Sequence, residues 1–125
     1  MTRNDLVVLA VDDDIINLKL LKSMLMKSGH VKEVVEAKNG SDAIGELKGR
    51  NDIDLILLDI IMPIMGGIEM LKVVRADDNL RQLPIIVLTT DETKKAEALE
   101  SGANGFLMKP IRNDDLINKM STVIV

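Results

Sequence analysis

Four places in this 125-residue chain carry carboxylates, a hydroxyl and an ammonium that could converge on one site. Asp12, Asp13 and Asp14 follow the apolar run Leu6–Val11, and Asp59 ends the run Leu55–Leu58 and is itself followed by more apolar residues. Thr89 closes the run beginning at Ile85, and Lys109 follows Gly105–Met108. Clustered carboxylates raise one another's pKa unless a cation neutralises them, and an all-oxygen donor set without His or Cys is what Mg²⁺ prefers. Asp59 stands in surroundings where an idle charge would be costly to keep. Each group also has a plainer reading: an acidic run before a helix is a common N-terminal cap, a threonine can cap a helix, and a lysine is usually a surface charge. Their joint placement is what points to a site.

That placement depends on the elements between them. Leu6–Val11, Val31–Glu36, Leu55–Leu58, Ile85–Leu88 and Gly105–Met108 read as short strands, and the segments between them have helical periodicity. Leu18, Leu21 and Leu25 share one helix face, with Gly29 where a left-handed C-terminal residue is wanted. Ser41 is expected to cap a second helix ending near Gly49, and a third runs from Gly67 to about Ala76 with Ile68, Leu71 and Val74 on one side. Residues 92–101 form a fourth, closed by Gly102, and Asn113 precedes a fifth with Asp114 and Asp115 in its first turn. Continuously apolar strands alternating with helices imply a parallel sheet buried on both faces. Five such units fit an α/β, flavodoxin-like doubly wound sheet with strand order 2-1-3-4-5, a single domain over residues 1–125. In that fold the crevice at the carboxyl ends of strands one and three takes the ligand, just after Val11 and Leu58.

Composition narrows the function. The chain is 46% hydrophobic and 29% charged, the balance of a folded domain, and with one Phe, no Tyr and no Trp the core must be aliphatic, helped by 8 Met. A net charge of -4 without a dense basic cluster argues against direct nucleic-acid binding. The absence of cysteine excludes disulfides, thiolate metal sites and a thiol nucleophile. Leu6–Val11 is too short for a signal-peptide core, and no apolar run approaches the ~20 residues needed to span a bilayer, so a cytoplasmic location without a membrane partner is expected.

Four segments together carry a family resemblance: VDDD after the first strand, DIIMPIMGG after the third, PIIVLTT through the fourth and GFLMKP through the fifth. In this order and at these spacings the chain resembles, end to end, a response-regulator receiver domain of bacterial two-component systems, close in length to the single-domain chemotaxis type. The resemblance implies a phosphorylation switch rather than a classical enzyme, although such a domain can catalyse its own phosphorylation and dephosphorylation. By that resemblance Asp59 is the phosphoacceptor, served by a sensor histidine kinase or a phosphotransfer protein. Asp12, Asp13, Asp59 and the backbone carbonyl of Ile61 hold Mg²⁺, with Mn²⁺ as a substitute. Lys109 pairs with the phosphoryl group, and the Lys109–Pro110 bond is cis. Thr89 is the switch hydroxyl and Phe106 the aromatic that turns inward, changing a surface of helix four, strand five and helix five. That surface would control a downstream protein or a fused output domain, the chain being a monomer or a phosphorylation-linked dimer.

Particular residues qualify the resemblance. Asp14 lies outside the two-acid pattern and is read as a helix-start residue. Phe106 lacks a phenolic hydroxyl, so an inward state would rest on burial alone, and plain strand packing is its alternative. The branched side chains of Ile61 and Thr90 flank the site and would hinder a hydrolytic water, predicting a long-lived acyl phosphate. His30 reads as a solvent-facing residue beside a helix end, and Gly66-Gly67 lacks the lysine pattern of a nucleotide loop. The enzyme alternative is a phosphatase of the haloacid-dehalogenase type with Asp12 as nucleophile in Asp12-x-Asp14; Ile15-Ile16 departs from that pattern. An unphosphorylated adaptor is the third possibility.

Overall fold

The computed structural model describes residues 1–124. Its strands are β1 (Leu6–Val11), β2 (Val31–Ala37), β3 (Leu55–Asp59), β4 (Ile85–Thr89) and β5 (Gly105–Met108). The helices are α1 (Ile15–Lys27), α2 (Gly40–Gly49), α3 (Gly67–Ala76), α4 (Lys95–Glu100) and α5 (Asn113–Val123). All strand pairs are parallel, in the order β2-β1-β3-β4-β5. The expected doubly wound sheet is therefore present.

Alternation within each strand sends side chains into two separate cores. Val7, Leu9, Val11, Ile56, Leu58, Ile85 and Val87 face α2, α3 and α4, where Leu47, Met70, Leu71, Val74 and Ala98 meet them. Leu6, Val8, Ala10, Leu55, Leu57, Ile86 and Leu88 face α1 and α5, packing on Leu18, Leu21, Leu25, Leu116 and Met120. β1, β3 and β4 are buried along their whole length, which is why they read as unbroken apolar runs. β2 is an edge strand with exposed Lys32 and Glu33, so its apolar signal is weak.

Several local expectations shift. α2 is capped by Asn39, not Ser41: the buried Asn39 side chain accepts from the Asp42 amide at 2.8 Å. Asn113 opens α5 as its first helical residue, and no side chain caps that helix. The expected helix over 92–101 divides into a 3₁₀ turn, Glu92–Lys94, followed by the short α4, with only Ala98 buried. An EALE-type polar sequence with one apolar anchor cannot hold a longer helix on the sheet. His30 is half-buried, and its ring Nδ1 lies 2.7 Å from the Arg3 carbonyl rather than facing free solvent. Gly29 and Gly102 take the left-handed conformation expected at helix ends (φ 82° and 109°). Among the described residues, no helix is long and apolar enough to cross a membrane.

Candidate functional site

The register places the site. β1 and β3 are neighbours, with Val11 opposite Leu58, so the residues that follow them emerge side by side at the carboxyl edge of the sheet. β4 lies beside β3, with Asp59 opposite Leu88, and β5 beside β4, with Thr89 opposite Met108. The Lys109 amide donates to the Thr89 carbonyl at 2.8 Å, carrying the β4–β5 pairing one residue past the strand. Asp12, Asp13, Asp59, Thr89 and Lys109 are thereby brought to one rim.

The three adjacent aspartates separate into three environments. Asp14 is exposed and caps α1, accepting from the Ile16 and Asn17 amides at 2.8 and 3.4 Å, as a helix-start residue should. Asp13 is exposed and Asp12 buried. One Asp12 oxygen accepts from the Asp14 amide at 2.9 Å, and the other from Lys109 Nζ at 2.8 Å. Asp59 is 8% exposed, with Oδ1 3.6 Å from the same ammonium. Burial raises the Asp59 pKa above the ordinary aspartate range; Lys109 works against this, Asp12 reinforces it, and a backbone contact at Ile61 lowers it again.

One carboxylate oxygen from each of Asp12, Asp13 and Asp59 lies within 4.8 Å of the others. This is an all-oxygen donor set, without His or Cys, carrying more negative charge than Lys109 can balance, and it fits a hard divalent cation of the Mg²⁺ class. The ammonium of Lys109 pairs with Asp12 at 2.8 Å and Asp59 at 3.6 Å.

The β3–α3 segment comes close over Asp59 because of Gly67. A Cβ built there would lie 2.3 Å from the Asp59 carbonyl oxygen and 2.7 Å from Ile60 Cα, and the Gly67 amide donates to the Ile60 carbonyl at 2.8 Å. Gly40 similarly admits Met65, whose carbonyl accepts from the Gly40 amide at 3.0 Å. Between them Ile64 takes φ 68°, a left-handed conformation unusual for a β-branched residue, with its side chain 84% exposed. The lack of a nucleotide-loop lysine pattern at Gly66-Gly67 leaves this close approach unannounced; the available signal is a glycine pair at the start of the helix that follows a strand-end acid.

Thr89 is buried, and its hydroxyl accepts from the Asp91 amide at 3.1 Å. Phe106 is half-buried, packs against the α2–α4 core, and lies with its ring centroid 6.0 Å from Lys95 Nζ. Ile61 and Thr90 are exposed beside the rim. The Lys109–Pro110 peptide is cis. A cleft of about 260 Å³ adjoins Asp12 and Lys109, walled by Asn17, Leu20, Pro110 and Ile111, a juxtaposition that no motif announces.

Comparison with known proteins agrees with this architecture. The response regulator receiver domain family matches residues 8–121. The chain is 35% identical over 120 residues to chemotaxis protein CheY1 of Helicobacter pylori, covering 94% of this chain and 95% of that one. The solved structure of chemotaxis response regulator CheY4 of Vibrio cholerae superposes with a TM-score of 0.86 at 34% identity, covering 95% and 98% of the two chains. A CheX–CheY–BeF3–Mg²⁺ complex from Borrelia burgdorferi gives 0.85 at 27% identity, with 96% and 90% covered.

Proposed function

The chain belongs to the response regulator receiver domain family, and we propose that it works as a phosphorylation switch of two-component signalling in which Asp59 accepts the phosphoryl group. The observation that carries this is the unequal engagement of the two buried acids. Both Asp12 oxygens accept short hydrogen bonds, from the Asp14 amide and from Lys109, whereas Asp59 meets that ammonium only at 3.6 Å and is otherwise engaged by the backbone at Ile61. Asp59 is the less tightly engaged of the two carboxylates, and so the better placed to offer a lone pair. The same contrast disfavours the phosphatase reading, in which Asp12 would be the nucleophile.

The donor would be a histidine kinase or a phosphotransfer protein. An Asp59 Oδ forms the new O–P bond as the N–P bond of the phosphohistidine breaks, and the electron pair of that bond returns to the imidazole nitrogen, which takes up a proton. Asp12, Asp13, Asp59 and the Ile61 carbonyl would hold Mg²⁺, or Mn²⁺ in its place; when bound, it supplies positive charge between the anionic acceptor and the incoming phosphoryl oxygens. Lys109, already poised between Asp12 and Asp59, pairs with a phosphoryl oxygen. The Thr89 hydroxyl turns to donate to another, and Phe106 follows into the space left behind. The α4–β5–α5 surface then differs between states and is read by a downstream protein or a fused output domain.

Incubating the chain with Mg²⁺ and a small acyl phosphate, then measuring intact mass, tests the acceptor. A gain of one phosphoryl group on the native chain and none on Asp59→Asn is expected; no gain on the native chain would sink the proposal. Exposed Ile61 and Thr90 shield the acyl phosphate from water, so the mass gain should persist for minutes. Loss within seconds in Mg²⁺ buffer would refute that shielding.

A further inference from the structure

α4 is the least anchored element of the sheet's surroundings, with Ala98 its only buried residue. Its position is therefore set by what holds its two ends, and these are held by unlike devices. At the front, Asp91 caps the 3₁₀ turn that leads into α4, and the Asp91 amide itself donates to the Thr89 hydroxyl at 3.1 Å. The front end thus hangs on one neutral hydrogen bond to a rotatable side chain.

At the rear stands Arg75, from the last turn of α3. Its Nε donates to the Gly102 carbonyl at 2.9 Å, Nη1 to the Arg81 and Leu83 carbonyls at 2.8 Å each, and Nη2 to Asn104 Oδ1 at 2.7 Å. Asn104 Oδ1 also accepts from the Ile85 amide at 2.9 Å, so the network runs directly into β4. None of these partners is a carboxylate. The guanidinium serves as a planar, multi-toothed donor that ties the segment after α4 to the α3–β4 connection. Gly102 makes room for it: at φ 109° it has no Cβ, and one built there would lie 2.8 Å from Arg75 Cγ.

We propose that Arg75 is a positioning residue that pins the C-terminal end of α4, so that when the Thr89 hydroxyl leaves the Asp91 amide, α4 swings at its N-terminal end about a fixed rear pivot. The proposal rests on the acceptor reading of Asp59, since that supplies the reason for Thr89 to turn. A front bond that one side-chain rotation can break, set against two charge-assisted bonds into the segment after α4 from a guanidinium itself fixed by two more to the α3–β4 connection, gives the motion its direction. Movement at the buried rim would then reach the Phe106 side of α4, where Lys95 lies over the ring, and die out toward Gly102.

Amide hydrogen exchange on the full chain reads both ends, with Mg²⁺ and beryllofluoride as the phosphoryl mimic. The Asp91, Thr93 and Lys94 amides report the front, and those of Gly102, Ala103 and Asn104 the rear. Adding the mimic should change front exchange by about tenfold, the scale of one hydrogen bond, and rear exchange by less than about twofold. In Arg75→Lys, which keeps the stem and charge but loses the fork, the mimic should change rear exchange by about fivefold or more. Gly102→Ala, which evicts the guanidinium, should do the same, and serves if Arg75→Lys does not fold. Rear amides that respond like front ones in the native chain would overturn the pivot. So would variants whose rear exchange rises equally with and without the mimic, the mark of a purely structural arginine. The ¹⁹F signal of bound beryllofluoride separates the two proposals: its absence from the native chain removes the acceptor reading and the pivot together, while its presence with either adverse pattern removes the pivot alone.

Discussion

Replacing Asp59 with Asn should make the protein more stable at neutral pH when divalent cations are withheld. Asp59 Oδ1 lies 3.6 Å from Lys109 Nζ, and its carboxylate shares a 4.8 Å neighbourhood with Asp12 and Asp13. At an effective dielectric constant of about 20, the lysine attraction is about 4.6 kcal/mol and the Asp12 repulsion about 3.5 kcal/mol or more. Exposed Asp13 adds a smaller repulsion, so the charge pairs nearly cancel and burial of the carboxylate decides the sign. Burial is indeed the largest influence raising its pKa. Asn keeps the shape and an acceptor without the charge, and a gain of about 2 kcal/mol is expected, equivalent to about 6–10 °C in Tm for a domain of this size. The pH dependence follows from the direction of the shift. A carboxyl with a raised folded-state pKa binds more protons folded than unfolded, so native stability falls as pH rises from the ordinary aspartate range through the raised value. The difference between Asn and Asp should therefore be small in acid and full at pH 7. Urea unfolding followed by far-ultraviolet circular dichroism, in EDTA across a pH series, measures this, since the chain has no Trp or Tyr to report. Mg²⁺ at tenfold its Kd should raise native stability by about 1.4 kcal/mol and narrow the gap. An Asn variant less stable than the native chain in EDTA at pH 7, or a gap that ignores pH, would refute the reasoning.

Removing the cation should do the opposite: Lys109→Met leaves buried Asp12 and Asp59 uncompensated and should cost about 3 kcal/mol in EDTA, with much of the loss recovered in Lys109→Met/Asp12→Asn, as a denaturation cycle would show. Gly67→Ala puts a methyl 2.3 Å from the Asp59 carbonyl oxygen, so it should lower stability by about 2 kcal/mol or more and slow phosphoryl uptake by moving the β3–α3 segment; unchanged melting and uptake would count against the close approach. Ile64→Asn should raise the urea midpoint, worth about 1 kcal/mol, because Asn tolerates the left-handed conformation that Ile64 adopts at φ 68°.

What could be read from the sequence followed from how many neighbours each residue's placement needs. β1, β3 and β4 are covered on both faces, so burial alone writes them as apolar runs, and the parallel sheet with its rim of strand-end residues follows. Asp12, Asp59, Thr89 and Lys109 were accessible because each sits within a residue of a strand end, where topology fixes position without knowledge of side-chain contacts. The N-cap of α2 differs from the expectation because Asn39 and Ser41 are both competent caps, and the choice goes with burial: Asn39 is buried where its side chain accepts from the Asp42 amide, whereas Ser41 is exposed. The Arg75 network was invisible for a related reason: its four acceptors lie at Arg81, Leu83, Gly102 and Asn104, spread along the chain and mostly backbone carbonyls, which no residue type announces.

The site's cost to stability and its proposed chemistry have a common origin. A carboxylate held at the end of a fully buried strand, opposite a second buried acid and only partly served by a shared lysine, is poorly solvated in its charged form. Forming the proposed acyl phosphate would move negative charge outward onto phosphoryl oxygens, where Lys109, Thr89 and a cation held by the acidic cluster would meet it. On the proposed function the native arrangement holds Asp59 in a state that phosphorylation would relieve, while the Thr89 hydroxyl accepts from the Asp91 amide ahead of α4. On this reading Asp59→Asn, although more stable, should resemble the unphosphorylated chain at the Asp91 amide, because the Asn side chain places no acceptor oxygens where the Thr89 hydroxyl would have to turn. Amide shifts at Asp91 and Thr93 that instead match the beryllofluoride-bound native chain would separate charge neutralisation from phosphoryl geometry, and would identify the former as the trigger.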